Sequence, residues 1–403
     1  VVKSTDTGST ADFDQQNSLY TICVRGIKDG EKIEQNIVSS SISRVLTAGK
    51  DWEEILDFAA SPSLELIISN TTEVGIQLVE DDVHAYPPVS YPGKLLAVLF
   101  HRYKMYNGSE DRGLVIIPTE LIPDNATKLK DILLVLARKN QMPAAFITWL
   151  LESNTFCNSL VDRIVPGKPD KTMLAEIEDQ LGYTDDLLTM SEVYSLWAIE
   201  GDEKVEEKLS FAKVDKGVIV TPDINLHREL KLRLLNGTHT LSSGIAFLAG
   251  FDTVKQAMDN QKMEAFISSL MKSEIANAIP YEVTEEITNV FSNNVLDRFR
   301  NPHIKHQWLS ITMNFTSKLK MRVVPLLLNY YKKHDTVPEL MAFGFAAYIN
   351  FMHGEEKDGK FYGSLNGSSY HINDDKAAYV KDIINKSKGT DVAKAILSDT
   401  ILW

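Results

Sequence analysis

Between residues 18 and 140 the chain switches repeatedly between two hydrophobic periods, and this switching constrains the fold more than any other feature. SLYTICVRG (18–26) alternates and is β-branched, so it reads as a strand. DWEEILDFAAS (51–61) carries an Asp start signal and a helical period. LELIISN (64–70) is a short apolar strand with a polar end, and YPGKLLAVLFHRYKMY (91–106) is a helix with Pro in its first turn. GLVIIPTE (113–120) repeats the strand and NATKLKDILLVLARKN (125–140) the helix. Such an order predicts a parallel α/β sheet. Ligands of these sheets bind beyond the carboxyl ends of the strands, which here are SNTTE (69–73) and PTELIPDN (118–125).

VYSLWAIE (193–200) and GVIVTPDI (217–224) add two strand-like segments. Beyond residue 224 every apolar segment, from LHRELKLRLLNGTHTLSSG to PELMAFGFAAYINFMHG, has helical spacing and no strand is expected. The expected organisation is therefore a Rossmann-type α/β domain over 1–222 and a mostly α-helical domain over 223–403. A chain of 403 residues suits two domains of roughly 100–200 residues each. The glycine-rich GxGxxG turn that usually opens a dinucleotide-binding sheet does not occur. The chain starts at VVK, which reads as the end of a strand, and DVAKAILSDTILW reads as an unfinished helical tail. Extensions at both ends are expected, the first of roughly 30 residues or more.

A formal net charge of −13 argues against a nucleic-acid partner, which needs a basic face for phosphates. With only Cys23 and Cys157 there is no disulfide framework or CxxC zinc pattern. No apolar run approaches the ~18 residues of a membrane helix, and the first residues lack a secretory leader pattern. These features predict a cytoplasmic protein with a small-molecule partner and no membrane or nucleic-acid ligand. The sequence carries no signal for oligomeric state.

KLRLLNGTHT (231–240) places Lys231, Asn236 and His239 within a leucine-rich helical run. At about 100° per residue, Lys231 and His239 lie about 80° apart on neighbouring faces, and Asn236 and His239 are i, i+3 neighbours. The Asn-Gly step at 236–237 is a point where the helix could break. A lysine, an amide and an imidazole aimed at one pocket suit hydride transfer to a ketone. The lysine supplies the proton, the amide polarises the carbonyl and the imidazole orients hydroxyls. The plain alternative is a solvated Lys231, a turn at Asn236-Gly237 and a hydrogen-bonded core His239.

The K-x4-N-x2-H string in KLRLLNGTH resembles the active-site motif of the polyol-specific long-chain dehydrogenases, the mannitol dehydrogenase family. NTFCNSLVDRIVPG (154–167), FRNPHIKHQ (299–307) and ISNTTEVGI (68–76) are similar to other segments of that family, and the likeness runs along essentially the whole chain. The resemblance implies a Rossmann-type domain, a helical domain and an active site between them, with NAD as cofactor and no metal. It implies Lys231 as general acid/base, Asn236 as carbonyl polariser and His239 as substrate holder. Asp162 and Lys318 would line the substrate pocket, and Asn70, Thr71, Thr72 and Glu73 would face the nicotinamide ribose. Two positions depart from the pattern. Leu121 stands where a second carbonyl-polarising Asn belongs, with Asn125 or Asn158 as possible replacements, and Ser310 stands where the family has a substrate-binding Arg. Both departures fit a sugar acid rather than a polyol. A carboxylate needs a cation, and Arg163 and Lys318 are the candidates.

Glu73 reads either as a proton-relay carboxylate or as a helix N-terminal charge. His303 and His306 have a metal-like spacing but no third ligand nearby, so helix-terminal hydrogen bonding is expected of them. The aromatic stripe in MAFGFAAYINFMHG (341–354) reads as core. A non-enzymatic scaffold is the rival reading, and such a protein has no need of a proton-transferring Lys231.

Overall fold

The computed structural model describes residues 1–5, 9–72, 74–389 and 391–403. The chain forms two compact units, Val1–Arg25 with Glu34–Ile224, and Gly26–Ile33 with Asn225–Trp403.

In the first unit strand Leu66–Ser69 is followed by helix Tyr91–Met105, strand Val115–Pro118, helices Asn125–Lys139 and Ala144–Glu152, and strand Thr155–Phe156. The three strands lie side by side in that order, all parallel, with Ile67 opposite Ile116 and Val115 opposite Thr155. A parallel sheet with both faces covered selects unbroken apolar runs. Val115, Ile116 and Ile117 are accordingly all buried. Leu96, Leu99, Leu129, Leu133 and Phe146 pack one face of this sheet. The Tyr91–Met105 helix starts where the sequence indicated, with Ser90 Oγ accepting from Gly93 N and Pro92 in the first turn. Asp51 occupies the N-cap position of helix Trp52–Ala59, but its carboxylate accepts from Thr47 N at 2.7 Å instead of capping the helix.

Three further ladders share the unit, one of them the parallel pairing of Ile22–Arg25 with Thr189–Glu192. Strand Leu196–Glu200 runs parallel to Val218–Thr221 and antiparallel to Ser159–Asp162. Val2–Lys3 pairs in parallel with Leu46–Thr47. A cavity of about 850 Å³ is lined by Val2 and Lys3 together with Leu66, Ile68, Asn70 and Tyr91. The fully buried Arg102 ties the unit together by donating to four carbonyls, those of Ala59, Ser61, Leu64 and Arg112.

The second unit is built mainly from helices around Leu234, Leu241, Trp308, Phe315 and Tyr348, each fully buried. Helical backbone runs without a break from Asn225 to Leu248. Helix Glu339–Phe351 crosses it closely at two glycines: a Cβ on Gly344 would press on Leu241, and one on Gly244 would press on Ala347. The expectation that this half holds no strands is wrong. Glu355–Lys357, Lys360–Leu365 and Ser368–Ile372 form an antiparallel meander. Its turns are Asp358-Gly359 and Asn366-Gly367, all four residues at positive φ. That is the geometry of two-residue hairpin turns that follow the strand twist. The meander is fixed by Tyr370, whose hydroxyl donates to Phe351 O. Among the described residues no helix is long and apolar enough to cross a membrane.

Candidate active site

The Asn-Gly step does not break the helix. Gly237 has φ −63° and ψ −47°, ordinary right-handed values. The change lies in the hydrogen-bond register: Lys231–Gly237 is a π-helical segment between helices Asn225–Leu230 and Thr238–Leu248. On an α-helix residues five apart lie about 140° apart. The wider i→i+5 turn of a π-helical segment brings them nearer to one face instead. Lys231 and Asn236 are five apart, so the wider turn brings closer an amine and an amide that regular spacing would separate. His239 follows Asn236 by three residues on regular helix.

Tertiary contacts hold this segment. Arg233, buried within it, donates to Glu229 from Nε at 2.8 Å, and its Nη1 donates to Met321 O and Arg322 O at 2.8 Å each. Thr240 Oγ1 donates to Asn236 O at 2.8 Å and accepts from Arg322 Nη1 at 3.1 Å. The end of helix Phe315–Arg322 is thus tied to the polar cluster.

Lys231 and Asn236 are half-buried, and His239 is only 9% exposed. The His239 ring stacks on Phe299, with centroids 4.1 Å apart, and meets His306 edge-on at 5.0 Å. Burial first, then the charges of His306, Arg298, Arg322 and Lys318, push its imidazole well below the usual range. At neutral pH it is an uncharged ring. Its Nε2 and the indole Nε1 of Trp308, whose ring lies edge-on to it, are buried without a protein partner. Lys318 Nζ donates to Ile311 O at 2.9 Å. Its amine is pushed down to about 8, by burial and then by Arg322, with Asp374 acting in the opposite direction. A polar group buried without a partner costs about 1–3 kcal/mol. The unpartnered His239 imidazole lies within reach of the charges of Lys318 and Arg322.

Other candidates have local duties. Asn158 Oδ1 accepts from Ala126 N and Thr127 N, and its Nδ2 donates to Thr127 Oγ1 and Glu200 Oε2. It caps the Asn125–Lys139 helix. Asn125 is fully buried and donates from Nδ2 to the carbonyls of Pro118, Glu120 and Ser159. Both amides are spent, so neither replaces the missing second carbonyl-polarising Asn; Leu121, in that position, is exposed. Asp162 is buried at the end of strand Ser159–Asp162. Exposed Arg163 donates from Nε and Nη2 to Glu192 O at 3.3 and 3.2 Å.

The Asn70–Thr72 turn follows strand Leu66–Ser69, at the end of the sheet where cofactors bind. Its organiser is Glu120, a buried carboxylate that the sequence reading passed over. Glu120 accepts from Ser69 Oγ, Thr71 N and Thr71 Oγ1 at 2.8–3.0 Å. The donors of Thr71 are committed there, while Asn70 and Thr72 stand exposed. Asn70, Thr71 and Thr72 also line the 850 Å³ cavity. This wall presents exposed amide and hydroxyl groups. Glu73 lies outside the described residues. Among the described residues no group of three or more His, Cys, Asp and Glu is placed to hold a metal ion.

Comparison with known proteins assigns both units. Residues 2–213 match the model of the mannitol dehydrogenase Rossmann domain, and residues 223–403 that of the mannitol dehydrogenase C-terminal domain. The altronate oxidoreductase of Halalkalibacterium halodurans is 40% identical over 398 residues, covering 96% of this chain and 77% of the relative. That of Yersinia enterocolitica is 35% identical, covering 100% and 83%. That of Bacillus subtilis is 39% identical, covering 85% and 71%. Among solved structures, a D-sorbitol dehydrogenase in substrate-free form matches with a TM-score of 0.75 at 19% identity, over 98% of this chain and 84% of that one. Pseudomonas fluorescens mannitol 2-dehydrogenase, in a ternary complex with NAD and D-mannitol, matches with a TM-score of 0.65 at 22% identity, over 98% and 79%.

Proposed function

The chain belongs to the mannitol dehydrogenase family, whose members are oxidoreductases acting on CH–OH groups with a nicotinamide cofactor, and from that premise we propose that it interconverts D-tagaturonate and D-altronate with NAD. The observation that carries the chemistry is the π-helical segment Lys231–Gly237, whose wider turn brings Lys231 and Asn236 nearer to a common face, three residues ahead of a buried, uncharged His239. The substrate assignment draws on the 35–40% identity to altronate oxidoreductases and on the cations gathered beside that face.

The nicotinamide, when bound, supplies or accepts the hydride at the keto carbon; Asn70 and Thr72 would hold its ribose, on a turn shaped by Thr71 and Glu120. As negative charge gathers on the carbonyl oxygen, Lys231 gives it a proton from Nζ and is left neutral. The Asn236 amide donates to the same oxygen. The neutral imidazole of His239 offers its unpaired Nε2 to a substrate hydroxyl, and Lys318 gives the pocket a positive charge suited to a carboxylate. In the oxidative direction Lys231 takes the hydroxyl proton back.

The test is NADH consumption with tagaturonate, comparing the unmodified protein with Lys231→Ala. Removing a proton donor of this kind is expected to lower kcat by about 10²–10⁴-fold. An unmodified protein inert towards tagaturonate, fructuronate and fructose alike would sink the reductase reading.

A further inference from the structure

Buried arginines in this protein are normally satisfied. Arg102 has four carbonyl acceptors. Arg233 has a carboxylate and two carbonyls. Arg322, which is half-buried, differs: among the described residues its guanidinium makes one hydrogen bond, from Nη1 to Thr240 Oγ1, and its Nε atom is buried with no partner. Lys318, four residues earlier on the same face of helix Phe315–Arg322, contacts one carbonyl. Neither cation has a carboxylate within ion-pair distance among the described residues. The nearby Asp374 carboxylate accepts from the backbone N–H groups of Thr316 and Lys376.

This arrangement is unfavourable without a ligand. Like charges four apart on a helix repel, and a desolvated cation is costly unless paired. Burial already pushes the Arg322 guanidinium down to about 10. A planar carboxylate can accept from both the Nε–H and an Nη–H of one guanidinium, so the unpartnered Nε is the missing half of a two-point contact. Thr240 holds the other side of the fork and also bonds to Asn236 O, which fixes the guanidinium relative to the carbonyl-polarising amide.

We propose that Arg322 is the specificity-determining residue of the site: with Lys318 it receives the carboxylate of the sugar acid and so selects a keto-uronate over the corresponding neutral ketose. The inference rests on the sugar-acid reading above and adds to it the residue that recognises the acid group. Arg163, engaged with Glu192 O and exposed, is not needed for that role.

The experiment compares NADH consumption with tagaturonate and with tagatose, which differ only in a terminal carboxylate against a hydroxymethyl group. The proteins are the unmodified chain, Arg322→Gln and Arg322→Lys. For Arg322→Gln the KM for tagaturonate is expected to rise about 100-fold while kcat changes less than about threefold. Its kcat/KM for tagatose should fall at least about tenfold less than that for tagaturonate, so the preference for the acid collapses. Arg322→Lys keeps the charge but loses the two-point geometry, and should regain about a tenth of the lost kcat/KM. Equal losses on both substrates would assign Arg322 a structural role and overturn the proposal, as would an unchanged preference in Arg322→Gln. An unmodified protein that turns over neither substrate refutes the underlying reading itself, a result separable from both.

Discussion

Arg233→Met tests whether the π-helical segment is held by its tertiary contacts. Arg233 and Glu229 form an ion pair with side chains 7% and 20% exposed. Methionine keeps the length and apolar stem of the arginine but leaves Glu229 without its partner. Breaking a buried pair from one side costs about 3–5 kcal/mol. The carbonyls of Met321 and Arg322 also lose a charged donor, a contact worth about 1.5–3 kcal/mol. Because these losses share one side chain they do not add, and about 4 kcal/mol is expected. For a unit of this size that corresponds to a fall of about 8–16 °C in the midpoint of its calorimetric transition. The double variant Arg233→Met, Glu229→Met separates the two parts. It replaces the ion pair by an apolar pair, which is close to neutral, and retains only the carbonyl loss. Its midpoint should therefore recover to within about 3–12 °C of the unmodified protein. A single variant unfolding within about 1 °C of the unmodified protein, or a double variant no more stable than the single, would refute the reasoning.

Further outcomes follow from other contacts. The Lys318 amine, held near 8 mainly by burial, is charged at pH 7 and loses its proton as pH rises through 8. The ratio of kcat/KM for tagaturonate to that for tagatose should therefore fall above pH 8, with the ratio cancelling the titration of groups common to both reactions; a flat ratio to pH 9.5 would exclude Lys318 from carboxylate binding. Gly113→Ala places a methyl group onto the Ser153 carbonyl, a backbone atom that cannot rotate away. It should destabilise the first unit by about 3 kcal/mol or more, read as a lowered midpoint in urea; an unchanged midpoint would contradict that close approach.

The α/β half was legible because its strands are buried on both faces, so Val115–Pro118 reads as a continuous apolar run flanked by helices of clear period. The meander at 355–372 was missed although DG and NG, its two turn signals, stand in the sequence. The helical segments around them dominated the reading, and strands of three to six residues carry little periodicity of their own. Asn125 and Asn158 were readable as polar residues near a strand end, but not as spent ones. Their partners, the carbonyls of Pro118 and Ser159 and the N–H groups at the start of a helix, come from other segments. The same holds for Glu120, whose sequence neighbours give no hint of the turn it organises.

The candidate site shows the limit most clearly. The residue types of KLRLLNGTH point to the proposed proton-transfer chemistry, yet the approach of Lys231 to the face of Asn236 depends on an i→i+5 register. That register is held by carbonyls 88 and 89 residues further along the chain. SKLKMR carries three cations, Lys318, Lys320 and Arg322, that look alike in sequence. Helix geometry separates them: Lys320 is exposed, whereas the i, i+4 pair lies half-buried towards Thr240 and His239. Spacing could have selected that pair, but only packing shows that no carboxylate pairs with it among the described residues. On the proposal above, an acid supplies the counter-charge that this half-buried pair lacks among the described residues, and its binding offsets part of the cost of desolvating two like charges.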